Sequence, residues 1–345
     1  MGVHGGDVYG KHIDIDFSIN VNPLGTPESV KAALHRAVEK CDRYPDIEAR
    51  NLKEAVGGYL SVPEDYLLFG NGASELLGAI VHGIKPSKIV IPAPSFYGYE
   101  YAAKSIGCDI VYYQTKRQDN FCVTKDICNV LDKDTELLFL ANPNNPVGNL
   151  LERETVRDIL RHCRDRGIYV VLDECFIEFC GDGCSMLSEI GTNINSGGEE
   201  FANLIIVRAF TKIFAIPGVR LGYLVCSDRS VINRISAQLP EWNISCFAQE
   251  AGCICAGLKD FVSETQEYVH KERRFVEDGL RRKGFEVFPS DSNFILFYSE
   301  RNLYESLLER GILIRDCGNF RGLGKGYYRI AVKSREDNEI LIKSL

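Results

Sequence analysis

At 345 residues the chain can bury a large core, and its length suits two domains or one large domain with a smaller one. A hydrophobic content of 45% and a charged content of 26% are ordinary for a soluble globular protein. The net charge of −8 argues against nucleic acid or an anionic membrane as the main partner, so an anionic ligand has to be held by local cations.

The first residues, Met1-Gly2-Val3-His4-Gly5-Gly6-Asp7, lack the apolar core of a signal peptide. No uninterrupted apolar run approaches the roughly 18 residues needed to span a membrane. Thirteen cysteines are scattered along the chain, and the nearest two, Cys253 and Cys255, form no C-x-x-C pair. That pattern suits reduced thiols better than a zinc site or a disulfide framework. The expectation is a soluble cytoplasmic protein with no metal.

Between about residues 45 and 225, short apolar runs alternate with helical patterns, which predicts an α/β domain on a mostly parallel sheet. Predicted strands cover residues 66–69, 88–91, 109–113, 137–141, 169–172, 204–207 and 222–226, with helices at 73–81, 99–106 and 152–166. Residues 227–284 read as a long helical region with a break near Pro240. Beyond it, strands at 294–298, 312–315 and 327–332 and helices at 303–310 and 335–345 predict a smaller α+β unit. The organisation expected is an N-terminal arm over 1–40 that joins the smaller unit, a large α/β domain over 41–230 and a C-terminal α+β domain over 231–345.

Five motifs lie at the C-terminal ends of predicted strands or in the loops after them, the edge where α/β sheets place ligands. Gly70-Asn71-Gly72-Ala73-Ser74-Glu75 can offer backbone N–H groups and the Ser74 hydroxyl to a phosphate at a helix N-terminus, or form an ordinary glycine-rich turn. It is not a dinucleotide fingerprint, because G-x-G-x-x-G is absent. Phe96 can stack on a planar ring or fill core space. Asn142-Pro143-Asn144-Asn145-Pro146-Val147-Gly148 is either a rigid turn or a device for pointing the Asn145 amide at a cofactor oxygen. Asp173-Glu174 follows a strand whose burial makes a carboxylate costly unless a cation meets it. A pyridinium nitrogen is such a cation; a helix cap is the other explanation.

The fifth motif is Thr211-Lys212-Ile213-Phe214-Ala215-Ile216-Pro217-Gly218-Val219-Arg220-Leu221-Gly222, which sets a lysine eight residues before an arginine across a Pro-Gly bend. The amine can form a Schiff base with an aldehyde while Thr211 and Arg220 hold a phosphate. That combination suits pyridoxal phosphate.

With these motifs in place, the chain resembles the fold type I pyridoxal-phosphate enzymes of the aminotransferase class I/II group over nearly its whole length. The resemblance implies Lys212 as the Schiff-base lysine and Asp173 as partner of the ring nitrogen. Asn145 is implied at the phenolic oxygen and Phe96 on the ring face. Gly72, Ala73, Ser74, Thr211 and Arg220 are implied at the phosphate. Tyr44, in Arg43-Tyr44-Pro45-Asp46, matches a tyrosine that reaches the phosphate from a partner subunit, so a homodimer with its site at the interface is expected. Where the group commonly has D-E-A-Y, this chain has Asp173-Glu174-Cys175-Phe176. Phe176 carries no hydroxyl, which leaves Asn145 as the main donor to the phenolic oxygen.

Within the group, the segments resemble both the threonine-phosphate decarboxylase family of cobalamin biosynthesis and the histidinol-phosphate aminotransferase family. Three segments favour the decarboxylases: His4-Gly5-Gly6-Asp7 with the stretch from Asp16 to Gly25, the lysine segment, and Arg315-Asp316-Cys317-Gly318-Asn319-Phe320 with Tyr327-Tyr328-Arg329. Phe176 also fits that family. The resemblance implies that Arg315 and Arg329 hold the anionic groups of a small phosphorylated amino acid. His4, Gly5, Asn20 and Asn145 are implied around the same substrate. Decarboxylation of O-phospho-L-threonine is the expected reaction, and transamination of histidinol phosphate with glutamate is the alternative.

Overall fold

The computed structural model describes residues 5–10, 12–181, 183–191 and 201–345. Its centre is a seven-stranded sheet in the order Leu67–Asn71, Leu221–Val225, Leu204–Ala209, Tyr169–Asp173, Leu137–Ala141, Lys88–Ala93, Asp109–Gln114. Leu137–Ala141 is an apolar run rather than an alternating one, as is Leu204–Ala209 apart from Arg208, and nearly every residue in them is buried. Strands covered by helices on both faces read that way, and these pair in parallel. Leu221–Val225 is the exception, antiparallel to both of its neighbours.

That topology sets the site. The parallel strands all finish at one edge, while the antiparallel one begins there, so Arg220 enters the sheet beside the point where Leu67–Asn71 leaves it. Asn71 stands opposite Leu221 and Gly70 opposite Gly222. A Cβ on Gly222 would lie 2.5 Å from the Ala73 nitrogen, so glycine lets the helix Ala73–Ile84 start against the strand.

A second, four-stranded antiparallel sheet runs Arg315–Asp316, Tyr327–Ala331, Phe294–Tyr298, Glu286–Val287. The predicted strand at 312–315 divides: Ile312–Leu313 pairs in parallel with Ile15–Asp16, and Arg315–Asp316 turns to join the four-stranded sheet. Phe17 stitches the arm down, since its N–H donates to Leu313 O (2.7 Å) and its carbonyl accepts from Ala331 N (2.8 Å). Its ring is fully buried in the core of this unit, with Ile295, Ile330 and Leu341.

The predicted helical region over 227–284 forms three helices, Arg229–Ser236, Cys246–Cys255 and Lys259–Arg282. Asp228 caps the first by accepting from Ser230 N and Val231 N, and Ser245 caps the second by accepting from Ala248 N. Cys246–Cys255 packs against Glu28–Ala37, and Val30, Ala248, Ala251 and Cys255 belong to the larger hydrophobic core. No helix among the described residues is long and apolar enough to cross a membrane.

Candidate active site

A cavity of about 1070 Å³ opens between the edge of the large sheet and the small one. It is lined by Ala73, Ser74, Phe96, Asn145, Asp173, Thr211, Lys212 and Arg220 from the large sheet's edge. Arg315 and Arg329 line it from the small sheet, and Gly5 and Asn20 from the arm. Residues spread over more than 300 positions of sequence therefore share one wall.

At one end the helix Ala73–Ile84 presents its N-terminus, whose first N–H groups have no partner inside the helix. The Arg220 guanidinium lies against Gly72, where a Cβ would come within 2.5 Å of Nη2. Gly72 itself has φ +79°. Arg220 also donates to Pro217 O (3.2 Å), and Thr211 is buried beside Lys212. A helix N-terminus, two hydroxyls and a guanidinium make a phosphate cradle.

In the middle stand Lys212 and Asp173. The Lys212 ammonium sits 6.0 Å from the Phe176 ring centroid. Burial holds it below the ordinary lysine range, and the nearby Arg329 and Arg220 push the same way. The Lys212 carbonyl accepts from Asn22 N (3.0 Å), so the arm also braces the lysine turn. The Asp173 carboxylate accepts from the Tyr99 hydroxyl (2.6 Å) and from Cys175 N (3.0 Å).

The adjacent Glu174 faces the other way and takes a buried cation, Arg208, at 2.8 Å, together with Ser185 Oγ and Met186 N. Among the described residues Asp173 has neutral donors but no ion pair. A carboxylate held by two donors and left without a protein cation at a cavity wall fits a cationic ring nitrogen.

The substrate end is cationic. Arg315 and Arg329 stand directly opposite each other in register across two antiparallel strands. Like charges so placed repel, which an anion between them relieves. Arg329 is buried, and burial pulls it down to about 10, still charged at neutral pH. It donates to Ser18 O (2.8 Å) and to Asn145 Oδ1, while its buried Nε has no partner among the described residues. The buried Asn20 Oδ1 is likewise unpartnered. Because Asn145 accepts from Arg329 through Oδ1, its Nδ2 remains to donate into the cavity. Arg315 donates to Asn319 Oδ1 (2.7 Å) and to Asp316 O.

The arm closes this end through glycine. Gly6 N donates to Ser18 Oγ (2.7 Å), and a Cβ on Gly5 would meet Ser18 O at 2.3 Å. His4 lies outside the described residues. Tyr44 is not among the residues lining the cavity; it is 79% exposed, with its ring 4.9 Å from that of Trp242. Tyr99, Ser18 and Asn22 are the residues missed by sequence reasoning. Tyr99 reads as one more core aromatic in a tyrosine-rich helix start, and only its position three residues after Phe96 hints at the shared wall.

The chain matches the model of the family described as aminotransferase class I and II over residues 12–345. The chain belongs to that family. It is 34% identical to the threonine-phosphate decarboxylase of Salmonella typhimurium over 96% of its own length and 90% of the relative's. Among solved structures, the histidinol-phosphate aminotransferase from Clostridium acetobutylicum superposes with a TM-score of 0.89 at 33% identity, covering 96% of this chain and 98% of that one. The L-threonine-O-3-phosphate decarboxylase from Porphyromonas gingivalis gives 0.83 at 26% identity, with the same two coverages of 96% and 98%.

The family's cofactor is pyridoxal 5′-phosphate, and the residues present fit it. The cradle around Ser74 and Arg220 suits the phosphate, the unpaired Asp173 carboxylate suits the ring nitrogen, and the depressed Lys212 amine suits the aldehyde. When bound, the cofactor supplies an electron sink for a carbanion at the substrate's Cα.

Two expected results follow from this geometry. Tyr99→Phe removes one of the two donors that orient Asp173, and turnover is expected to fall about tenfold with cofactor affinity little changed, as read by steady-state kinetics at saturating cofactor. Phe176 is buried edge-on against Phe294, with ring centroids 5.1 Å apart. A hydroxyl added by Phe176→Tyr at this wall would, with Phe176 beside the cofactor's phenolic oxygen, donate to it and favour the form with more negative charge. The pH-dependent absorbance transition of the loaded enzyme is therefore expected to move to lower pH. An unchanged titration would count against Phe176 lying beside that oxygen.

Proposed function

We propose that this enzyme decarboxylates O-phospho-L-threonine to (R)-1-aminopropan-2-ol phosphate, releasing CO2, in the synthesis of the cobalamin side chain. The observation that carries the reading is the opposed pair Arg315 and Arg329 in one cavity with Lys212. A phosphoamino acid brings a phosphate and a carboxylate on one molecule and occupies both arginines at once. Histidinol phosphate brings only the phosphate, and the alternative meets both arginines only through the two carboxylates of its co-substrate glutamate.

The residues divide the work as follows. Arg315 and Arg329 bind the two anionic groups and so set how the carboxylate is turned about Cα. With the carboxylate so held, the Cα–carboxyl bond would break with CO2 leaving, and the bound cofactor would supply the sink for the electron pair left at Cα. Lys212 is placed to deliver from its protonated form the proton that replaces CO2 at Cα, and its lowered pKa favours that release. Asp173 keeps its charge at the ring nitrogen, and Tyr99 keeps Asp173 oriented. Gly5, Ser18 and Asn20 on the arm cover the substrate and exclude water.

Tyr44 and Trp242 form an exposed aromatic pair outside the cavity, which supports a homodimer in which the Tyr44 hydroxyl reaches the cofactor phosphate of the second copy. None of the thirteen cysteines is joined in a disulfide, in keeping with a reducing cytoplasm.

The test is a substrate panel on the loaded enzyme: O-phospho-L-threonine, O-phospho-L-serine, L-threonine, and histidinol phosphate with 2-oxoglutarate. O-phospho-L-threonine is expected to give the highest kcat/KM, and L-threonine to lose at least about 10²-fold for want of two charge-assisted hydrogen bonds. Glutamate formed from histidinol phosphate, with no turnover of either phosphoamino acid, would overturn the proposal.

A further inference from the structure

The connection between Arg315–Asp316 and Tyr327–Ala331 is a compact turn, closed by Phe320 N to Cys317 O and Leu323 N to Phe320 O, each 3.0 Å. It holds Arg315 from two sides. Asn319 Oδ1 accepts from Nη2 at 2.7 Å, and the Phe320 ring centroid lies 5.2 Å from the guanidinium carbon. The direction of Arg315 therefore depends on where this turn sits.

The turn is in turn fastened to the larger sheet. Arg321 pairs with Glu100 at 3.6 Å, and its guanidinium lies 3.9 Å from the Tyr112 ring centroid. Gly322, at φ +84°, holds a backbone conformation that side-chain-bearing residues rarely adopt, and it lies against Gln114, whose Nε2 a Cβ would approach to 2.2 Å. Gln114 donates to Ala93 O (3.1 Å), at the end of the strand that leads to Phe96. Glu100 sits on the helix Tyr97–Ser105, one residue past the Tyr99 that holds Asp173. Glu100 also pairs with Lys104 on the outer face of that helix.

We infer that Arg321 is a positioning residue for anion binding: clamped by Glu100 and Tyr112, it fixes the turn that aims Arg315, and it does so without touching the substrate. The inference rests on the proposed role of Arg315 as an anion ligand. Arg321 also lines the cavity, so the competing account is a third cation in direct contact with the anion. The two accounts predict opposite signs for Glu100→Gln. Removing a carboxylate from beside a direct cation strengthens anion binding, whereas removing half of a clamp weakens it.

The experiment titrates the cofactor-loaded enzyme with inorganic phosphate and with O-phospho-L-threonine, following the cofactor absorbance. Wild type is compared with Arg321→Gln, Glu100→Gln, the double variant, Arg321→Lys and the outer-face control Lys104→Gln. Each of the first two singles is expected to weaken phosphate binding about three- to tenfold. The double variant is expected to be no weaker than either single, because the two side chains form one clamp. Arg321→Lys retains the charge and is expected to recover part of the loss, and Lys104→Gln binds as wild type does.

Amide hydrogen exchange without any ligand supplies a second readout: faster exchange at Phe320 and Leu323 in both single variants is expected. Glu100→Gln binding phosphate as tightly as wild type or tighter, unchanged exchange in the turn, or no phosphate binding by wild type would each overturn the inference. A weakened phosphate affinity in the variants, with no turnover of O-phospho-L-threonine by wild type, counts against the proposed reaction and leaves the clamp standing.

Discussion

Lys212→Ala is expected to lower turnover by at least about 10³-fold while the protein still folds and still binds its cofactor. Among the described residues the lysine is the one amine lining the cavity, with Asp173 and Arg220, and its removal would take away both the proposed covalent anchor and the proposed proton carrier. Cofactor binding is expected to survive because the proposed phosphate cradle of Ser74, Thr211 and Arg220 does not depend on it. Borohydride reduction followed by peptide mapping checks the anchor: label appears on the Lys212 peptide in wild type and is lost in the variant. A pH effect goes with it. Burial lowers the pKa of Lys212, so the neutral amine that captures an aldehyde becomes available at a lower pH than for an exposed lysine. The rate of cofactor capture by the cofactor-free protein is therefore expected to rise with pH through that lowered value.

Asp173→Asn should cost about 10²- to 10³-fold in turnover, with cofactor occupancy retained. The amide keeps the size of the side chain, but its single oxygen can accept from only one of the two donors, Tyr99 Oη and Cys175 N, which use different oxygens of the carboxylate. What it also loses is the charge that keeps the ring nitrogen protonated, and with it the sink for the electron pair left at Cα. Asp173→Glu is not expected to rescue. The strand end is fixed by its register against Ala141 and Val207, and the Tyr99 hydroxyl at 2.6 Å leaves no slack for an added methylene. Steady-state kinetics with occupancy read from cofactor absorbance separates this loss from simple cofactor loss.

Much of the large sheet is legible in the chain because strands covered on both faces carry runs such as Leu204-Ile205-Ile206-Val207 with no polar interruption. The cofactor end of the site follows from the same logic, since Phe96, Asn145, Asp173 and Lys212 come just after such runs. Strand direction is not legible: nothing in Leu221–Val225 says that it runs antiparallel, yet that reversal brings Arg220 beside Gly72. The split at Ile314 is equally hidden, because Ile312, Leu313, Ile314 and Arg315 form one continuous buried run while their backbones serve two different sheets.

Partners distant in sequence account for the rest. Asp173-Glu174 shows two adjacent carboxylates, and only the fold reveals that Arg208 answers Glu174 and leaves Asp173 without an ion pair. Arg315 and Arg329 end neighbouring predicted strands, which suggests convergence, but their direct opposition is a matter of register. Arg321, in a glycine-flanked turn, reads as a surface cation until Glu100 and Tyr112 are placed against it.

The most direct measurement follows the bond that breaks. The loaded enzyme is incubated with O-phospho-L-threonine labelled in its carboxyl group, with and without a 2-oxo acid acceptor, and the label is traced by NMR. Label released as CO2 and bicarbonate at the same rate in both cases, with an equal yield of the aminoalcohol phosphate, is the result the account predicts. Label retained in a phosphorylated 2-oxo acid that forms only when the acceptor is present would contradict it.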